Sequence, residues 1–433
     1  MPQVLNTRDA GFEAEFTHLL GMKREDSPDV DAIVAGIIAE VRARGDAAVI
    51  ELTQRFDRLE LTPETLAFSP AEIAAYCAQV PPAEREALEL AADRIRAYHE
   101  RQKPEDARWQ DASGASLGWR WSAVAAAGLY VPGGLASYPS SVLMNAIPAK
   151  VAGVERLVIA CPTPGGAVNP LVVLAAKISG VDTIYRIGGA QAIAALAYGT
   201  ATIAPVDKIT GPGNAFVAAA KRRVFGKVGI DMIAGPSEIL VIGDGTGDPD
   251  WIALDLLSQA EHDQVAQSIL ITTSQAEAEA VMAAVDRHLQ GLERREIAGA
   301  SWRDYGAVVV CETLEQAADL SNRVAPEHLE LCVDDPEALL DSIRHAGAVF
   351  LGHWTPEAIG DYVGGPNHVL PTARSARFSS GLSVLDFMKR TTLAKMTPEA
   401  LRAIGPAAET LATSESLQAH GLSVRARLDK LND

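Results

Sequence analysis

Cysteine is scarce. Four residues (Cys77, Cys161, Cys311 and Cys332) are scattered through 433, with no CxxC spacing, which argues against a disulfide framework and against a thiolate metal site. Positive charge is also short: 38 Lys and Arg face 56 Asp and Glu, a formal net charge of −18. The clustered cations that displace counterions from a phosphate backbone are missing, so no nucleic-acid partner is expected. Three uncharged stretches, Trp121–Ala149, Leu157–Ala176 and Ile187–Val206, are interrupted by Pro, Gly and hydroxyl residues. They read as buried strand–turn–helix units rather than membrane spans. Met1 to Lys23 carries acids early and has no basic region leading into an apolar core, so no secretory signal is expected and the cytoplasm is the expected compartment. No internal repeat or low-complexity tract is present.

What is there is the composition of a soluble globular protein, 48% hydrophobic and 22% charged over a length that implies two or more domains. The first hundred residues are helical in pattern. Val30, Ile33, Val34, Ile37, Ile38 and Val41 form one apolar helix face, and a second helix is expected over Ala83–Glu100. From about Ala123 short apolar runs alternate with helical segments. Val124–Val131, Leu157–Ala160, Thr183–Ile187 and Lys208–Thr210 form one series of expected strands; Ile239–Ile242, Ile269–Thr272, Ala307–Cys311 and Ala348–Leu351 form another. Strands separated by helices imply an α/β protein with parallel sheets covered on both faces. The Gly- and Asp-rich break at Asp244–Asp250 reads as a domain boundary. Near the end, Leu417, His420, Val424, Leu428 and Leu431 share a helix face that needs a surface to pack against.

Of nine histidines, His18, His99, His288, His345 and His353 stand in unremarkable company. The other four do not. His262 follows Gln259 by three residues in SQAEHD, a spacing that turns both side chains to one side of a helix; either they hold a metal or they form a polar helix face. Glu327 and His328 adjoin in APEHLEL. They are either a base with its helper, which on a strand would point apart and so requires a loop, or an ordinary loop pair. Asp361 and His368 bracket DYVGGPNH, where two Gly and a Pro predict a tight loop able to fix both side chains or merely to turn the chain. His420 on the apolar tail face is either a ligand or a satisfied core residue.

Two glycine-rich turns follow expected strands. GPGNAF (211–216) opens a helix, where an anion can sit on the N-terminus, although Phe216 replaces the third Gly of the dinucleotide fingerprint. Asp231, 20 residues after Gly211, stands at the right distance for a ribose contact. GGAQA (188–192) is a similar turn; either could be a plain strand–helix connection. No Cys has a basic neighbour to lower its pKa, so a thiol nucleophile is disfavoured.

In this order the segments resemble the histidinol dehydrogenase family. The match is carried by VRARGDAAVIELTQRFD (41–57), GLYVPGG (128–134), YRIGGAQAIAALAYGT (185–200), KITGPGNAFVAAAKR (208–222), DMIAGPSEILVI (231–242), SQAEHD (258–263), APEHLEL (325–331), GDYVGGPNHVLPT (360–372), FSSGLSVLDFMKR (378–390) and ESLQAHGLSVRAR (415–427). The resemblance implies one zinc per subunit held by Gln259, His262, Asp361 and His420, with Glu327 activating water and His328 as acid–base. It implies substrate contacts from Ser237, His328, His368 and Glu415 alongside the four zinc ligands, and NAD contacts from Tyr130, Gln191 and Asn214. The implied reaction oxidises L-histidinol to L-histidine through a bound aldehyde with two NAD, the last step of histidine biosynthesis. The implied assembly is a homodimer whose tail, with Glu415 and His420, completes the other subunit's site.

The implied fold is two Rossmann-like parallel-sheet domains with helical terminal extensions. They are expected as 1–24, an N-terminal extension; 25–127 plus 241–383, a first α/β domain; 128–240, a second, NAD-contacting domain; and 384–433, a dimerisation tail. The nearest rival is a relative oxidising another alcohol, such as a sulfonated diol; Ser237, His368 and Glu415 favour histidinol. A zinc hydrolase and a non-catalytic binding protein are more distant.

Overall fold

The structure, a computed structural model, describes residues 1–22, 28–133, 138–233 and 235–431. Residues 23 and 24 of the expected N-terminal extension, Gly134 of GLYVPGG and Ala234 of DMIAGPSEILVI lie outside the described residues.

Two parallel sheets organise the chain. The larger has six strands in the order Gln3–Asn6, Ala307–Val310, Gln267–Thr272, Glu238–Gly243, His328–Cys332, Ala348–Leu351. The smaller has five, in the order Thr183–Tyr185, Arg156–Ala160, Ala126–Tyr130, Lys208–Thr210, Gly229–Ile230. Both are covered on two faces, and alternate residues explain how. In the smaller sheet Ala127, Leu129, Leu157 and Ile159 pack against the helices Pro82–Glu100, Pro139–Ala152 and Pro170–Ile178. Ala126, Tyr130, Val158 and Ala160 face Pro28–Arg44, Gly189–Tyr198 and Ala215–Val224. In the larger sheet Leu240, Ile242, Ile269 and Ile271 look to one side, and Ile239, Val241 and Leu270 to the other. Continuous apolar runs are what such doubly buried strands require.

Two features depart from the expected domain division. The helices of residues 28–100 pack on the smaller sheet, because Val34, Ile37, Ile38 and Val41 share a core with Ala192 and Val217, and Leu88 and Ile95 share one with Leu143 and Leu157; the second of these cores also takes in Val369 and Leu382 of the segment 241–383. The segment 244–248 is no boundary. It is the turn between strand Glu238–Gly243 and helix Pro249–Ala260, capped by the Asp248 side chain on the Asp250 N–H with Pro249 in the first turn. The N-terminal segment also contributes an edge strand, Gln3–Asn6, besides its helix Phe12–Gly21.

A third, antiparallel sheet (Met388–Lys395, Ser116–Ala123, Ala107–Gln110) leads into a helical hairpin, Pro398–Ser414 and Gln418–Lys430. Val424 and Leu428 face Gly405 of the partner helix, whereas Leu411, Leu417 and Leu422 are exposed, as is His420. The expected single apolar face is therefore split, part turned into the hairpin and part to solvent. No described helix is long and apolar enough to cross a membrane.

Candidate active site

At the amino ends of two central strands of the larger sheet, one residue pins two functional side chains. The Glu238 N–H donates to Glu327 Oε2 at 2.9 Å, and the Glu238 carbonyl receives His328 Nδ1 at 3.0 Å. Glu327 precedes its strand and His328 opens it, so the adjacent pair converges, with Glu327 Oε2 3.8 Å from His328 Nδ1. With Nδ1–H spent on a carbonyl, His328 carries its lone pair on Nε2. That atom is buried, has no hydrogen-bond partner among the described residues, and lies 3.4 Å from Glu357 Oε1 and 4.0 Å from Asp361 Oδ1. Burial pushes the His328 pKa down against the pull of Asp361. Burial, then the Glu238 charge, pushes Glu327 well above the usual carboxylate range.

Asp361 sits on the short helix Glu357–Tyr362 and not in the glycine loop that the sequence predicts. The Gly pair comes just after, with Gly365 at φ +108°, and returns the chain so that His368 Nδ1 donates to the Asp361 carbonyl at 3.0 Å. His368 Nε2 meets Ser141 Oγ at 3.1 Å, which links this loop to helix Pro139–Ala152 on the smaller sheet. Burial lowers the His368 pKa first, with Asp361 opposing.

Gln259, wholly buried, ends helix Pro249–Ala260. Its Nε2 donates to His262 Nδ1 at 3.2 Å while its Oε1 is buried without a partner. His262 is close enough to His328 and His368 that its charge disfavours theirs. Ser258 ties the same helix to Glu357 by a 3.1 Å hydrogen bond.

Among the described residues, His328, Glu357 and Asp361 form a group whose donor atoms lie within 4.8 Å of one another, enough to hold a metal ion. Glu357, which sequence reasoning missed, is pushed up to about 8 by burial and the neighbouring Asp361. Its signal was the four-residue spacing to Asp361 on one helix face. Gln259 Oε1, His328 Nε2 and Glu357 Oε1 are buried without a hydrogen-bond partner among the described residues. Such a donor set of nitrogen and oxygen fits a divalent cation. Ser237 stands half-buried beside Glu238. Glu415 and His420 are on the exposed hairpin and make no hydrogen bond or ion pair to this cluster among the described residues.

The cofactor-type turns meet at the carboxyl ends of the smaller sheet, where strand order reverses between Ala126–Tyr130 and Lys208–Thr210; open α/β sheets bind ligands at such a point. Tyr130 Oη accepts from the Gly189 N–H at 3.1 Å, and burial pushes its phenol up to about 12. Gln191, 1% exposed, folds back on Gly189. A Cβ on Gly211 would come 2.1 Å from the Tyr130 carbonyl. The Asn214 side chain caps helix Ala215–Val224 by accepting from Phe216 and Val217 at 3.1 and 3.2 Å. The Asp231 carboxylate, spaced in the sequence for a ribose contact, is buried against Lys221 and accepts from the Gly211 N–H at 2.8 Å. Beside these turns a cavity of about 540 Å³ is lined by Phe68, Cys161, Pro162, Thr163, Val172 and Ile184. Burial pushes the Cys161 thiol up to about 12, as expected of a structural thiol.

The family model of histidinol dehydrogenase matches residues 21–428. The histidinol dehydrogenase of Cereibacter sphaeroides is 79% identical over 433 residues, covering 100% of both chains. The chain belongs to the histidinol dehydrogenase family. A second relative, the histidinol dehydrogenase of Ruegeria pomeroyi, is 78% identical over 432 residues with 100% of both chains covered. The crystal structure of histidinol dehydrogenase from Elizabethkingia anophelis, 37% identical, superposes with a TM-score of 0.96 over 100% of this chain and 99% of that one. Membership in the histidinol dehydrogenase family makes the chain a dehydrogenase and removes the hydrolase and binding-protein readings.

Proposed function

We propose that this chain oxidises L-histidinol to L-histidine with two NAD, through an aldehyde that stays bound, as the last step of histidine biosynthesis in the cytoplasm. The observation that carries the reading is the Glu327–His328 pair clamped on Glu238, its bare Nε2 facing the acceptor cluster. Gln259, His262 and Asp361 would hold a zinc ion together with His420 of a second copy. Zinc bound there would supply a Lewis acid to the substrate. Tyr130, Gln191 and the Asn214 turn would seat NAD, which would supply the hydride acceptor for each oxidation.

The rest falls to the chain. His328 Nε2 takes the hydroxyl proton; the Nδ1 bond to the Glu238 carbonyl persists in the imidazolium and holds the ring in place. Glu327 takes a proton from the water that hydrates the aldehyde, and burial with the neighbouring Glu238 charge, by raising its pKa, makes it a stronger base. Ser237, His368 and the second copy's Glu415 would orient the substrate, with Ser141 holding His368. Hydration does the work of a thiohemiacetal, in keeping with the inert Cys161.

A homodimer supports this arrangement physically. The hairpin exposes Leu411, Leu417 and Leu422, and the helix ending in Gln259 exposes Trp251 and Leu254 next to an exposed Trp354. The apolar surface of the hairpin that carries His420 would suit burial against a second copy across a two-fold axis.

The test is a spectrophotometric assay counting NADH formed per histidinol consumed. Two are expected. With Glu327→Gln, aldehyde oxidation should slow more than alcohol oxidation. No turnover of histidinol, with turnover of another alcohol such as a sulfonated diol, would overturn the reading.

A further inference from the structure

The GPGN turn is held from inside by a pair that the reaction does not otherwise use. Lys221, on helix Ala215–Val224, and Asp231, just past strand Gly229–Ile230, form an ion pair with side chains only 3% and 1% exposed. Between them sits one residue. Lys221 Nζ donates to the Gly211 carbonyl at 2.9 Å, and the Gly211 N–H donates to Asp231 Oδ2 at 2.8 Å. Both polar groups of Gly211 are thus bound to opposite charges.

Gly211 needs such a hold. Its φ of +113° lies in the region only glycine adopts without strain, and the turn presses so close to Tyr130 that no side chain fits between them. A buried ion pair is an expensive way to fill space, since apolar residues of similar volume often stabilise a core as well or better. What apolar residues cannot do is bind the N–H and the carbonyl of a strained glycine at once. Asn214, three residues on, has its carboxamide oxygen committed to the helix cap, so the turn is anchored there and at Gly211.

We propose that Lys221 and Asp231 are positioning residues for the dinucleotide. By fixing Gly211 they set the mouth between the Tyr130 strand end and the N-terminus of helix Ala215–Val224, where the cofactor's phosphates would lie. The assignment rests on the reading that NAD binds at this turn.

The experiment compares Lys221→Met, Asp231→Asn, Lys221→Arg and the double variant Lys221→Met/Asp231→Leu with the wild-type holoenzyme. NADH binding is read by fluorescence titration, thermal stability by melting, and steady-state constants for NAD and histidinol separately. Loss of charge-assisted hydrogen bonds to the turn should raise the NADH Kd and the NAD KM by roughly tenfold or more. The histidinol KM and the kcat at saturating NAD should stay within about threefold. Lys221→Arg, which keeps charge and donors, should bind NADH nearly as the wild type does. The double variant separates positioning from packing: with the pair replaced by apolar side chains it should melt close to the wild type yet still bind NADH weakly. A folded double variant that binds NADH like the wild type overturns the assignment alone. A wild-type enzyme that does not bind NADH overturns the cofactor reading, and this assignment with it.

Discussion

The two parallel sheets bring opposite ends to their functional groups. In the six-stranded sheet those groups stand at the amino ends of strands: Ser237 precedes one that Glu238 opens, and Glu327 precedes the next, which His328 opens. In the five-stranded sheet they stand at carboxyl ends: Tyr130 closes a strand, and Gly189 and Gly211 follow two others. The difference decides what each end can bind. Amino ends of strands in α/β units adjoin helix C-termini, where exposed carbonyls favour a cation, and there Gln259 closes its helix with His262 just beyond. Carboxyl ends adjoin helix N-termini, which favour an anion such as a dinucleotide phosphate, and there helices Gly189–Tyr198 and Ala215–Val224 begin. The contrast extends to polar satisfaction. Among the described residues Gln259, His328 and Glu357 leave buried acceptors unpaired, whereas the Tyr130 hydroxyl, the Asn214 carboxamide oxygen and both backbone groups of Gly211 have partners within the chain. One end supplies reactive side chains and the other a shaped backbone.

The sharpest way to break the comparison is at His328. His328→Gln removes the lone pair at Nε2, and kcat should fall by about 10²–10⁴ with little change in NADH binding; a loss of NADH affinity with kcat preserved would reverse the roles given to the two ends.

A smaller effect is expected behind the cluster, where Asp255 bonds to the buried Glu330 and burial pushes its pKa up to about 6. A carboxyl whose folded pKa exceeds its unfolded value stabilises the fold fully below the unfolded pKa, and that contribution is lost as pH rises through the folded one. Between about pH 4 and about pH 6 the wild type should lose on the order of 1–3 kcal/mol that Asp255→Asn does not lose. Urea melts across that range check it, and parallel pH profiles would show that the carboxyl is not held protonated.

The smallest effect belongs to the other end. Cys161→Ala should leave kcat/KM within about twofold, because a thiol pushed up to about 12 supplies almost no thiolate at neutral pH. A loss of tenfold or more would bring back a covalent route.

How much of this was legible in the sequence depended on what each segment buries. The strands flanking Tyr130 and following Glu238 are apolar runs because both faces are covered, and they read directly. The strand His328–Cys332 did not, since HLELC carries a buried imidazole and a buried Glu330 that accepts from the Glu357 N–H at 2.6 Å. The helices of residues 28–100 showed their apolar stripe but not which sheet it covers, as amphipathicity carries no address. Glycines drew Asp361 into a loop one turn too early. Asp231 had the spacing of a ribose ligand, yet Lys221, invisible as its partner in the linear order, claims it. Gln259 with His262, and Glu327 with His328, were legible as neighbours; their convergence with Asp361 and His368 came only with the fold.

The central claim is that a site built from Gln259, His262, Asp361 and the Glu327–His328 pair is finished by His420 of another copy. Mixing two inactive variants, His420→Asn and His328→Gln, after dissociation and reassociation tests it most directly. If each site draws on two chains, half of the dimers are hybrids that hold one intact site, and activity should return to about a quarter of the wild-type level. A mixture as inactive as its parents, with hybrid dimers verified, would contradict the account.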